Sequence, residues 1–298
     1  MKKLWVVALL TVAMINGCGG GSSGYVGTSG SKIVFISSRN GNQEIYAMDS
    51  DGSNQRRLTR TDEGESSSAI SLDGRRIAFT RPNIAERNYD VYIMDFDGSN
   101  QRKLTSAGWE SGFSSPSLNR DGNLVAFDYS ARRTAQIYVQ STSSNRMTSS
   151  IDYGSDPALS ADGQKLAYSQ LCYPCEVEVF KVTRLDGSIE FSTETPGVSY
   201  QTPSFHPNGS NLVITKRMYE NGTSNADIFL LNPLNGQLTP LSTGPFQESN
   251  PTFSPDGKQI AYSSNESGSN QIWVMDADGT NKRRLTGEGD NAGPSWGG

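Results

Sequence analysis

The chain has one histidine in 298 residues, His206, and only three cysteines. A single imidazole excludes a histidine-rich metal site, and nothing besides His206 can be a histidine base. Charge is sparse as well: Asp, Glu, Lys and Arg make up 19%, with 26 basic against 31 acidic residues and a formal net charge of −5. That balance supplies no basic stripe and speaks against a nucleic-acid footprint. The one long apolar run, Leu4 to Ile15, is too short to span a bilayer as a helix. Beyond it no helix longer than a turn or two is suggested, because apolar residues alternate or cluster in runs of three to five bounded by Gly, Pro, Asn, Asp and Ser.

What the chain has is repetition. An apolar triplet recurs as Ile33-Val34-Phe35, Ile77-Ala78-Phe79, Val125-Ala126-Phe127, Leu166-Ala167-Tyr168, Leu212-Val213-Ile214 and Ile260-Ala261-Tyr262. The last five copies each follow an Asp-Gly or Asn-Gly pair, and from Gly74 through Gly122, Gly163 and Gly209 to Gly257 the steps are 48, 41, 46 and 48 residues. Periods of this length mark an array. The last full copy shows the unit: Pro251–Ser254 as strand A, Gln259–Ser263 as B, Gln271–Met275 as C and Arg284–Thr286 as D. Asp256-Gly257 joins A to B and Asp278-Gly279 joins C to D, since Asp-Gly accepts the positive φ that tight hairpins need.

Four antiparallel strands repeated radially make an all-β propeller blade, and six blades in a ring leave no long open edge except at the chain ends. The first copy has B (Lys32 to Ser37), C (Ile45 to Met48) and D (Arg57 to Thr59) strands but no A strand, whereas Gly293-Pro294-Ser295-Trp296 is an A strand without a blade. The expectation is a six-bladed β-propeller closed by pairing of the C-terminal strand with the N-terminal blade. Blocks such as Asn250-Pro251-Thr252-Phe253-Ser254-Pro255-Asp256-Gly257 and Ile272-Trp273-Val274-Met275-Asp276-Ala277-Asp278-Gly279 resemble the WD40-like Pro-Asp repeat of the TolB-like six-bladed propellers, from Ser31 to Trp296. The resemblance implies binding of a partner lipoprotein or short peptide at the channel mouth within a bacterial envelope.

Residues 1–17 read as a lipoprotein signal peptide: Lys2-Lys3, the apolar run, then Ile15-Asn16-Gly17-Cys18, which resembles a lipoprotein cleavage box. Cys18 is the expected lipidation site, residues 18–31 a Gly/Ser tether and 32–298 the propeller. Gly19 after the cysteine favours the outer membrane by resemblance to Gram-negative sorting. Cys172 and Cys175, outside the cytosol, read first as a local disulfide, with a redox dithiol or a shared metal site as alternatives.

Little else suggests chemistry. His206 sits in Phe205-His206-Pro207-Asn208-Gly209, where the last copy has Phe253-Ser254-Pro255-Asp256-Gly257, and so reads as a turn residue. Gly-x-Ser-x-Gly occurs at 20–24 and 293–297, neither on a strand-to-helix elbow. Asp49 to Asn54, Asp95 to Asn100 and Asp276 to Asn281 carry oxygen ligands at spacings faintly like a calcium loop but sit where a C–D hairpin must turn.

The D–A and B–C connections share one face and vary from copy to copy, which is where specificity can be placed on a rigid repeat. The candidate partner-binding face is Arg39, Arg81, Trp109, Arg132, Tyr153, Tyr200, Arg217, Glu248 and Asn250, with Tyr200 among its exposed aromatics. Arg, Trp and Tyr are the types enriched at interface hot spots. The reading is a non-enzymatic, membrane-anchored monomer without cofactor that binds an envelope protein or peptide over about 800 Å² per partner. A glycan-binding propeller and a metal-dependent polysaccharide lyase are the alternatives.

Overall fold

The computed structural model describes residues 30–298 apart from 109–110, 132–133, 145–146, 173–176 and 221–222. Every element among them is a strand. The first unit holds β1 (Lys32–Ser37), β2 (Glu44–Asp49) and β3 (Arg56–Arg57), and the second β4 (Ser67–Ile70), β5 (Arg76–Asn83), β6 (Asn88–Asp95) and β7 (Arg102–Lys103). The third holds β8 (Ser111–Leu118), β9 (Leu124–Ala131), β10 (Thr134–Ser141) and β11 (Met147–Tyr153), and the fourth β12 (Ser155–Leu159), β13 (Lys165–Cys172), β14 (Val177–Arg184) and β15 (Ile189–Glu194). The fifth holds β16 (Val198–Phe205), β17 (Leu212–Glu220), β18 (Thr223–Asn232) and β19 (Gln237–Ser242). The sixth holds β20 (Glu248–Phe253), β21 (Gln259–Ser264), β22 (Gln271–Asp276) and β23 (Arg283–Arg284), and β24 (Asn291–Gly297) follows it.

Pairing is antiparallel within each unit, and β24 pairs with β1, Ile33 against Trp296 and Lys32 against Gly297. The second and third units share one eight-stranded sheet through a single parallel bridge, Tyr89 to Gly112. That close approach needs a glycine, since a Cβ on Gly112 would lie 3.0 Å from Tyr89 Cβ.

The apolar triplet sits on a strand buried on both faces. Its outer residues pack back on the preceding unit and its small middle residue packs forward on the next. Ile77 and Phe79 join Val34 and Ala47 of the first unit, while Ala78 joins Phe113 and Val125 of the third. The same division recurs at Leu166-Ala167-Tyr168 and Leu212-Val213-Ile214. One cluster brings Ala261, Ile272 and Val274 of the sixth unit against Ile33, Phe35 and Trp296.

The D strands are shorter than the sequence suggests in the first and sixth units, and that of the second is equally short. After two paired residues the chain turns away, and a threonine hydroxyl takes over the ladder. Thr59, Thr105 and Thr286 accept from Ile45, Val91 and Ile272 N–H at 2.9, 3.0 and 2.9 Å. Each hydroxyl then donates to a buried acceptor, Glu65, Asp90 or Gln271 respectively. The A strand of the sixth unit begins at Glu248, three residues before the expected start, because pairing with β21 continues past Pro251.

Candidate functional site

The innermost strand of every unit lines one cavity of about 330 Å³. Five of these strands contain an X-Pro step, and in each the residue before proline has positive φ: Ser115 (50°), Asp156 (52°), Thr202 (46°), Asn250 (53°) and Gly293 (62°). The register of each strand shifts there, leaving a bulge. A residue before proline ordinarily avoids this region, and a non-glycine residue held there costs on the order of 1–3 kcal/mol. Unit two has Ser67-Ser68 instead of X-Pro and pairs without a bulge.

Small polar side chains one step past the triplet brace these bulges. Thr215 meets the Thr202 hydroxyl at 2.8 Å, Ser263 Oγ accepts from Gly293 N–H at 3.0 Å, and Ser169 donates to the Tyr200 carbonyl. Asp128 is the charged member of that series. It accepts from the Ser114 hydroxyl and, at 3.1 Å, from Asp156 N–H. Burial and the neighbouring Asp128 carboxylate push Asp156 up to about 6, while the Ser115 hydroxyl, 3.2 Å away, opposes that shift. Neither aspartate was singled out from the sequence. Comparing copies would have found them, since Asp128 stands where the others have Ile36, Thr80, Ser169, Thr215 and Ser263.

The candidate face residues are not equivalent. Tyr200 is 4% exposed and packs beside Phe180 with ring centroids 6.0 Å apart, so its expected exposure is corrected. It falls on a bulged strand whose alternation sends it into the fourth–fifth unit cluster. Glu248, 6% exposed, accepts from the Ser242 hydroxyl and also lies beneath the surface. Arg39 is half-buried over Tyr46, 4.7 Å from its ring centroid, and donates to Gln55 and Asn291. Arg81 pairs with Glu65 at 2.9 Å, and Arg217 donates to Gln201, Ser224 and Gln247. Tyr153 is 54% exposed, and Asn250 lines the cavity. Tyr89 and Tyr219, both exposed, are not in that set. Cys18, Trp109, Arg132 and Cys175 lie outside the described residues, and Cys172 ends β13.

The remaining motifs resolve into turns. In the three Asp-rich hairpins Asn54, Asn100 and Asn281 donate to Asp49, Asp95 and Asp276 at 2.7, 2.6 and 2.6 Å, which closes each loop on its own carboxylate. His206 lies edge-on to Phe253, centroids 4.9 Å apart, and meets Asn208 through Nδ1 at 2.7 Å. Its Nε2 fits against Gly257 (φ 73°), where a Cβ would stand 2.2 Å away. Among the described residues no group of three or more His, Cys, Asp or Glu side chains is placed to hold a metal ion.

Four-stranded antiparallel units whose inner strands surround one cavity define the β-propeller class, a scaffold that hosts many functions. Residues 155–298 match the family described as TolB beta propeller domain. A Protein TolB homolog of Chlorobium luteolum is 32% identical over 276 residues, 90% of this chain and 60% of that protein. Tol-Pal system protein TolB 1 of Novosphingobium aromaticivorans is 39% identical over 75 residues, 24% of this chain and 16% of that protein. The crystal structure of TolB from Acinetobacter baumannii superposes with a TM-score of 0.73 at 18% identity, covering 89% of this chain and 66% of that one. The chain carries a TolB-like β-propeller. It spans less than two thirds of the Chlorobium relative's length.

Proposed function

We propose that the chain is a six-bladed, closed-ring propeller, anchored through a lipid on Cys18, that binds a protein or peptide segment in the bacterial envelope without catalysing a reaction. Pairing of β24 with β1 and the apolar cluster between the sixth and first units support the closed ring. The carrying observation is the cavity walled by braced, strained bulges: rigid polar groups presented around one opening bind without a large ordering cost. Exposed Tyr89, Tyr153 and Tyr219 supply the amphipathic anchors that interface cores favour. The likeness to a protein named for the Tol-Pal system supports an envelope partner, and the Cys18-Gly19 start favours the outer membrane.

The test is crosslinking capture from envelope membranes with the full chain, beside a variant carrying Tyr153→Ala and Tyr219→Ala. Both rings are 54% exposed, so the fold should survive. A discrete envelope protein captured by the parent and lost by the variant is the expected result. Equal capture by both would move the site off this face, and capture by neither would remove the protein-binding reading.

A further inference from the structure

The residues before proline in the five bulges stand at one level of the cavity and form a collar, and one of them differs from the rest. Ser115, Thr202, Asn250 and Gly293 are neutral, whereas the fourth unit puts Asp156 at that position. Among the described residues lining the cavity, only Asp156 and Arg120 are charged. Arg120 belongs to the far end. Its backbone N–H donates to the Ala161 carbonyl at 2.9 Å, and its Nη2 reaches across to the Pro207 carbonyl at 3.4 Å. Asp156 follows the D–A connection at Gly154, so it stands toward the candidate binding face. Five residues of strand separate Asp156 from Ala161, which sets the two ends about 15 Å apart, beyond a Debye length at physiological salt.

Asp156 has no counter-ion among the described residues. It takes the Ser115 hydroxyl at 3.2 Å and a hydrogen bond from Thr202 N–H, both neutral donors. The charged groups that act on it are acids: Asp128 of β9, which accepts Asp156 N–H at 3.1 Å, and Glu178 of β14. Of the other strands packed on β12, β8, β10 and β16 carry no charged residue, and Lys165 of β13 pairs with Glu190 at 2.7 Å. Solvent reaches the collar, since Ser115, Asp156, Thr202 and Asn250 are half-buried. The next residues inward, Pro116, Pro157, Pro203, Pro251 and Pro294, are buried and make a dry apolar shelf. Unit two puts Ser68 at that level, and its buried Oγ has no hydrogen-bond partner. A cation resting on such a shelf is screened less than one in open water. The collar supplies oxygen acceptors and no aromatic face, which suits a compact ammonium with three donors and not a planar guanidinium.

We propose that the collar receives an aliphatic ammonium group, held by the Asp156 carboxylate above the proline shelf and supplied by a lysine side chain of the bound protein or by a free diamine. The lysine source rests on the protein-binding reading, and the diamine source stands without it.

The probes are N-acetyllysine methylamide and 1,5-diaminopentane, titrated calorimetrically into the full chain. Saturable binding is expected at pH 8. With Asp156 raised to about 6, binding should be about tenfold weaker at pH 5, where most of that carboxyl is protonated, and should release protons at pH 6. Asp156→Asn keeps the shape, and asparagine already holds this position in the sixth unit, so the fold should survive. This variant should bind at least about tenfold more weakly at pH 8 and lose the pH dependence. N-acetylarginine methylamide, with the same charge on a planar head, should bind more weakly than the lysine derivative. Tighter binding of the lysine derivative assigns the ammonium to a protein partner, and tighter binding of the diamine assigns it to a free amine. No saturable binding of either amine, equal binding by the parent and Asp156→Asn, equal affinity at pH 5 and pH 8, or an arginine derivative as tight as the lysine one overturns the proposal. Envelope-protein capture is read separately. Capture intact without probe binding counts against this site alone, and probe binding without capture counts against the protein-binding reading alone.

Discussion

Replacing Arg81 with alanine isolates one buried ion pair beneath a stacked guanidinium. The Glu65 side chain is fully buried and Arg81 is 17% exposed, so solvent screens the pair little. Removing the cation leaves a buried carboxylate with only the Thr59 and Thr61 hydroxyls, a loss of about 3 kcal/mol. The lost contacts with Phe79 and Tyr92 add about 1 kcal/mol. In a domain of this size each kcal/mol moves the melting temperature by roughly 2–4 °C, so the expected fall at pH 8 is roughly 8–16 °C. The penalty should depend on pH. Burial already holds Glu65 above the usual carboxylate range against the pull of Thr59 and Arg81, and loss of Arg81 pushes it higher. A group raised in the folded state contributes stability that is present below its unfolded value and is lost as pH rises through its folded value. The Arg81→Ala penalty should therefore be smaller at acid pH, where Glu65 takes up a proton, and largest at pH 8. Urea unfolding of the parent, Arg81→Ala, Glu65→Gln and the double variant at acid pH and at pH 8 checks this. A penalty that is the same at both, or a double variant no more stable than Arg81→Ala at pH 8, would refute the reasoning.

Three further outcomes follow from the same geometry. Asp156→Asn removes a carboxylate raised to about 6 beside Asp128, so it should stabilise the chain by on the order of 1 kcal/mol at pH 8 and leave it nearly unchanged at pH 4, read by thermal melts. Deleting residues 291–298 strips β24 from β1 and Trp296 from its cluster, and circular dichroism should show loss of cooperative unfolding; a truncated chain that melts like the parent would argue against ring closure. Gly297→Ala would place a Cβ 2.2 Å from the Ser71 carbonyl oxygen, where backbone must shift, so it should destabilise by about 2 kcal/mol in urea unfolding.

The repeat was legible because its cause is local. Asp-Gly turns and triplets with a small middle residue state strand, hairpin and two-sided burial within a few positions, and Gly293 to Trp296 declared itself an A strand by matching Asn250 to Phe253. The candidate face was legible only in outline. Residue type suggested Tyr200 and Glu248, but exposure depends on which way a bulged strand alternates, and Pro203 and Pro251 do not state where the bulge restarts the count. The structure sends both side chains inward and leaves Tyr89, Tyr153 and Tyr219 outside.

Sequence alone determined the architecture, because each copy encodes its own strands and turns and the missing first strand is supplied at the other end of the chain. Tertiary structure decided which polar groups are already satisfied, because Glu65 and Glu248 look alike in sequence and differ only in what lies across the blade. Arg81 pairs with the first, whereas among the described residues no donor reaches the second oxygen of Glu248, and Lys282 acts on that carboxylate only by its charge.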